Sequence, residues 1–165
     1  LKIINLKKLD DERGFFTRFY CEKLSKELNL PFYFPQINYS YTKEKGTIRG
    51  MHYQINGFEE CKIISCMRGS IYDVVIDLRP NSKTYMKTYS IALKENDGNK
   101  LVIPEGFAHG FQTLENNTSV LYQVTKEYSP GNERGIRFND KIFNIQWPLK
   151  ISSISKKDLD HPDFK

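Results

Sequence analysis

Between residues 60 and 128 the chain reads as short strand-like runs, each closed by turn residues, and this pattern constrains the fold more than any other feature. A run over 61–67 stops at Arg68-Gly69, and one over 71–78 stops at Arg79, Pro80, Asn81 and Ser82. Runs over 84–93 and 100–103 flank a polar turn at 95–99, and a corner at Pro104, Glu105 and Gly106 precedes runs over 110–114 and 119–128. Regular alternation of this kind predicts an antiparallel sandwich or barrel. Only 22–29 and the stretch after Ser155 read as helix, the latter because Ser155-Lys-Lys-Asp158 has the form of a capping box. The expected class is all-β with small helical additions, and 165 residues suit one domain over 1–165.

Composition narrows the functional classes. The 25 basic residues are interspersed among 20 acidic ones for a net charge of +5, which argues against a nucleic-acid module and fits a small anionic substrate. With 39% hydrophobic and 13% aromatic residues the chain can bury a sizeable core. No apolar stretch approaches a membrane span, and the charged, alternating residues 1–10 lack the apolar region of a secretion signal, so a soluble intracellular protein with no membrane partner is expected. Cys21, Cys61 and Cys66 show no CxxC spacing and read as reduced packing thiols.

Two of the three histidines sit in informative contexts. Plain alternation around His52 sends Ile48, Gly50 and His52 to one face and Arg49, Met51 and Tyr53 to the other, whereas a bulge at Gly50 brings Arg49 and His52 into one cavity. Read on this segment alone, His52 also fits a satisfied histidine on a sheet face. Gly98, Pro104, Gly106 and His109 have the spacing G-x5-P-x-G-x2-H, which resembles the second motif of the cupin superfamily of small β-barrels. Metal-binding cupins carry an H-x-H pair in their first motif, but Tyr53 and Gln54 follow His52 here. A metal site would be short of donors, so a barrel without metal is predicted.

More segments follow in order: Asp11-Glu-Arg-Gly-Phe-Phe16, Gln36-x-Asn38-x-Ser40, Ile48-Arg-Gly-Met-His-Tyr-Gln54, Asp73-Val-Val-Ile-Asp77-Leu-Arg79, Ile103-Pro-Glu-Gly-Phe-Ala-His-Gly-Phe111, Tyr128-Ser-Pro130, Phe138-Asn-Asp140 and Ile145-Gln-Trp-Pro148. Together they resemble the dTDP-4-dehydrorhamnose 3,5-epimerase family across nearly the whole chain. The resemblance implies a cupin-like double-stranded β-helix, or jelly roll. It also implies a cytoplasmic homodimer that epimerises C3, C5 or both in a nucleotide-diphosphate 4-keto-6-deoxyhexose without any cofactor. A 4-keto group acidifies both neighbouring C–H bonds, so inversion needs a base on one face, an acid on the other and a cation for the enolate between them. By resemblance His52 is the base, Asp158 fixes its tautomer, Lys62 faces the developing oxyanion and Tyr122 protonates the opposite face. His109, Asp73 and Tyr128 match pocket residues, Arg13 and Arg49 match diphosphate ligands, Gln36 and Asn38 line the cavity, and Phe16 stacks on the base. The family's N-terminal strand crosses to the partner subunit, which makes the site composite.

One departure bears on the nucleotide. Where the family has a glutamate that accepts the thymine N3 proton, this chain has Arg18, a donor only. Arg18 either reads a different base, guanosine and cytidine diphosphates being candidates, or points to solvent while another residue reads thymine. A 3-epimerase using such a carrier, a 3,4-ketoisomerase of the same barrel type and a non-catalytic sugar binder are the alternatives. Residues 161–165 are assigned no chemistry.

Overall fold

Alternation along the central strands decides the architecture. In the computed structural model, which describes residues 1–165, β1 (Lys2–Asn5), a hairpin of β2 (Lys8–Asp11) and β3 (Gly14–Thr17), and helix α1 (Glu22–Glu27) precede the main strands. These are β4 (Gln36–Thr42), β5 (Ile48–Gln54), β6 (Lys62–Arg68), β7 (Ser70–Asp77), β8 (Thr88–Lys94), β9 (Asn99–Ile103), β10 (Phe107–Thr113) and β11 (Thr118–Val124). A short β12 (Glu133–Gly135) and helix α2 (Lys156–Leu159) close the chain. Two five-stranded antiparallel sheets result, ordered β1-β9-β6-β11-β4 and β12-β5-β10-β7-β8.

Phe107 and Phe111 of β10 face the opposite sheet and pack with Ile64, Leu101, Ile103 and Val120, while Ala108 between them turns outward. The outer face of the second sheet, with Met51, Val74 and Ile76, is covered by Ile136, Phe143, Ile145 and Trp147 from the C-terminal stretch. The outer face of the first sheet receives Leu30 and Phe34 against Ile63 and Val102. This is the expected cupin-like jelly roll: two sheets closed face to face over an apolar interior, with coil covering both outsides.

Element boundaries differ from expectation for local reasons. The run expected from residue 84 begins only at Thr88, because Asp77 gathers Arg79 Nη2 (2.7 Å), Ser82 Oγ (2.6 Å) and Thr84 Oγ1 (2.6 Å) into a turn. The run expected to reach Tyr128 stops at Val124; beyond it, Gln36 Oε1 accepts from the Tyr128 backbone N–H (3.0 Å) and Gln54 Oε1 from that of Ser129 (2.6 Å). Conversely, the run expected over 110–114 starts at Phe107. The first helix ends at Glu27, and Asn29 takes a left-handed conformation (φ 50°).

Candidate active site

The site is built around a bulge. His52 on β5 stands opposite His109 on β10, and Arg49 stands opposite Phe111, so three steps along β5 match two along β10. The extra residue resets the alternation and turns both Arg49 and His52 toward the interior, as the bulge reading of this segment requires. Glycine makes it possible. Gly50 has φ 118°, and a Cβ there would lie 2.5 Å from Gly110 Cα, while one on Gly110 would lie 2.7 Å from Met51 Sδ.

The imidazole has a fixed partner. His52 Nε2 lies 2.7 Å from Asp158 Oδ1, and Asp158 Oδ2 accepts the Gly50 backbone N–H at 3.2 Å. The capping-box serine does its part, Ser155 Oγ accepting the Asp158 N–H at 3.1 Å, but the Asp158 carboxylate leaves the helix start and braces His52. Its side chain is only 6% exposed. Burial pushes the carboxyl up, but the hydrogen bonds from His52 and Gly50 outweigh this and hold it below the usual carboxylate range, so it stays ionised. An ionised Asp158 takes the Nε2–H of neutral His52 and leaves Nδ1 as the lone-pair nitrogen.

Tyr122 of β11 comes from the opposite sheet, with its ring 6.2 Å from His109 and 6.4 Å from Phe111 and its hydroxyl 3.3 Å from Ser40 Oγ. Burial pushes its phenol well above the ordinary range, so it remains a proton donor at neutral pH. Lys62 reaches the same cleft with 12% of its side chain exposed, its Nζ 2.9 Å from Glu60 Oε1 and 3.5 Å from the His52 carbonyl. Two adjoining hollows of about 170 and 520 Å³ share Asn38, His52 and Tyr122; the smaller is lined by Lys62, Gln36 and Tyr128, the larger by Arg49, Lys157 and Asp158.

Two expected pocket residues lie behind the wall. His109 Nε2 is 3.0 Å from Asp73 Oδ2, both side chains are buried, and neither lines the cleft; they pack beneath Tyr122. Burial raises the Asp73 carboxyl, against the opposing pull of His109. Three others are not brought to this chain's cleft at all. Arg13 pairs with Asp11 on the β2–β3 hairpin (2.6 Å), and Phe16 on the same hairpin is 67% exposed. Arg18 is exposed beyond β3, lining a crevice beside Leu24 and Leu28.

Three charged residues that sequence reasoning passed over belong to the site, and His161 packs behind it without lining either hollow. Glu60 pairs with Lys62 and accepts from Gln54 Nε2 (2.6 Å); Glu133 accepts from Tyr128 Oη (2.7 Å) and pairs with Lys157; His161 lies against His52. Glu60 and Lys62 are two apart in extended chain and Asp158 and His161 three apart across a helical turn, and those spacings are the available signals.

Comparison with known proteins sets the class first. The fold superposes on epimerases of nucleotide-linked sugars. One is a dTDP-4-dehydrorhamnose 3,5-epimerase from Bacillus anthracis crystallised with TDP and pyrophosphate (40% identity, TM-score 0.95, 98% of this chain and 93% of that one). Another is a Legionella pneumophila epimerase in complex with dTDP-4-keto-L-rhamnose (35% identity, TM-score 0.88, 94% of this chain and 83% of that one). The dTDP-4-dehydrorhamnose 3,5-epimerase of Shigella flexneri is 37% identical over 163 residues, 98% of this chain and 90% of that protein. The dTDP-4-dehydrorhamnose 3,5-epimerase family matches residues 1–165, and the chain belongs to it, an enzyme of the isomerase class.

Proposed function

We propose that this enzyme inverts C3, C5 or both in dTDP-linked 4-keto-6-deoxyhexose, using no cofactor. One observation carries the reading: an imidazole braced by a buried carboxylate shares a cleft with a protonated phenol contributed by the opposite sheet. His52 Nδ1 takes the proton from carbon, the C–H electron pair moves into the enolate, and negative charge builds on O4. Lys62 faces that oxygen from a site where water is scarce, which strengthens its attraction. Tyr122 then delivers its proton to the other face of the carbon, and both side chains reset through solvent. Asp158 holds the imidazolium while it exists.

Arg49, Gln36 and Asn38 lie where the diphosphate and nucleoside would run. The β2–β3 hairpin pairs with neither large sheet and presents Arg13 and Phe16 outward. This supports a homodimer in which each hairpin completes the partner's site, and the reading includes a cytoplasmic location. No helix is long and apolar enough to cross a membrane. The relatives above were crystallised with TDP or a dTDP-sugar, which favours thymidine diphosphate as carrier. The test is conversion of a dTDP-4-keto-6-deoxyhexose followed by NMR, alongside calorimetry with dTDP, GDP and CDP. Wild type should turn over and bind dTDP most tightly, and His52→Ala should lose turnover by about 10²–10⁴-fold while keeping nucleotide affinity. Undiminished turnover in the variant contradicts the base, and tighter GDP or CDP binding contradicts the carrier.

A further inference from the structure

We propose that His52, Asp158 and His161 form a binding site for a divalent transition cation of the Zn²⁺ type, and that its occupation reversibly blocks the enzyme. His161 follows α2 and returns to the site its helix already serves: its ring meets that of His52 edge to face, with centroids 5.5 Å apart and planes at 79°. One donor atom from each of the three residues lies within 4.8 Å of the other two. His161 Nε2 is 3.7 Å from Asp158 Oδ1, is buried, and has no hydrogen-bond partner. That separation is long for a hydrogen bond. It is close to the roughly 3.3 Å between two donors that each sit about 2.0–2.1 Å from one tetrahedral ion.

The ring is seated in a recess that only glycine leaves open, since a Cβ on Gly135 would lie 2.2 Å from His161 Nε2. Glu133 and Lys157 pair with each other, which leaves Asp158 as the negative charge facing the ring and favours a cation. Two imidazole nitrogens and a carboxylate oxygen suit zinc, and the partly exposed His52 leaves the fourth position to the cleft.

The consequence for turnover follows from tautomerism and rests on His52 being the base. An ion on Nε2 replaces the proton shared with Asp158, and the neutral ring then carries its proton on Nδ1, where no lone pair remains to accept one from carbon. The reaction runs without the ion and stops when it binds.

Co²⁺ serves as a spectroscopic stand-in. Titrating the wild-type enzyme with Co²⁺ should produce a tetrahedral visible band that Zn²⁺ displaces, and turnover should fall in step and return with a chelator. His161→Gln, which changes no residue lining the cleft, should retain turnover without metal, lose the band and need at least tenfold more Zn²⁺ for half-inhibition. Gly135→Ala, which crowds the ring without removing a donor, should weaken Co²⁺ binding as well. Absence of the band in wild type, or an unchanged band and inhibition midpoint in His161→Gln, overturns the site. A band with turnover unaffected overturns the blocking and traces the failure to the assignment of His52 as base.

Discussion

Lys100 shows how much a single buried charge can matter outside the site. It is 3% exposed on β9, donates to the Phe19 carbonyl at 2.7 Å, and burial lowers its pKa from 10.5 to about 8. The folded value lies below the unfolded one, so between about pH 8 and 10.5 the unfolded chain holds more protons, and this residue's contribution to stability rises with pH. Replacing it by methionine removes that contribution. Denaturant unfolding of wild type and Lys100→Met at pH 7.5 and 10.5 should show wild type gaining on the variant by on the order of 3 kcal/mol across the window. A pH-independent gap contradicts the shift. At the same scale, His52 is singled out by its motif, whereas Asp158 and Tyr122 are singled out only by the resemblance, and the fold brings all three side chains to one cleft. His161 is singled out by neither, because its role depends on the recess at Gly135, twenty-six residues away in sequence and adjacent only in the fold.

Among the elements, β5 carries the most chemistry, and its bulge is its weak point. A methyl group on Gly50 would need both a left-handed backbone and space that Gly110 occupies at 2.5 Å. Gly50→Ala should therefore cost on the order of 2–3 kcal/mol in denaturant unfolding and lower turnover further than the stability loss explains, because Arg49 and His52 move together. A variant with wild-type stability and turnover contradicts the bulge. The bulge was readable because a glycine stands between two polar residues that simple alternation would place on opposite faces. The strands of the barrel were readable from turn residues, but their ends were not: side chains such as Asp77 and Gln54 capture backbone or hydroxyl groups from several residues away, and no short-range pattern encodes that. The N-terminal strand β1 escaped the strand pattern because its residues are mostly exposed and it is held by pairing with β9, distant in sequence.

For the whole molecule, the edge strand β4 turns Ile37, Tyr39 and Tyr41 outward, each about half exposed or more, on the same strand whose inner face carries Gln36 and Asn38. If this face and the β2–β3 hairpin meet a second copy, wild type sediments as a dimer, and Tyr39→Glu sediments as a monomer with most turnover lost. A fully active wild-type monomer contradicts the composite site. The central claim concerns two protons on two faces of one carbon, and it is tested by running the reaction in D2O and locating deuterium by NMR. Wild type should place deuterium at each inverted centre. Tyr122→Phe should still exchange that hydrogen through His52 while inversion falls by about 10²–10⁴-fold. Inversion at the wild-type rate in Tyr122→Phe, or exchange that survives in His52→Ala, would contradict it.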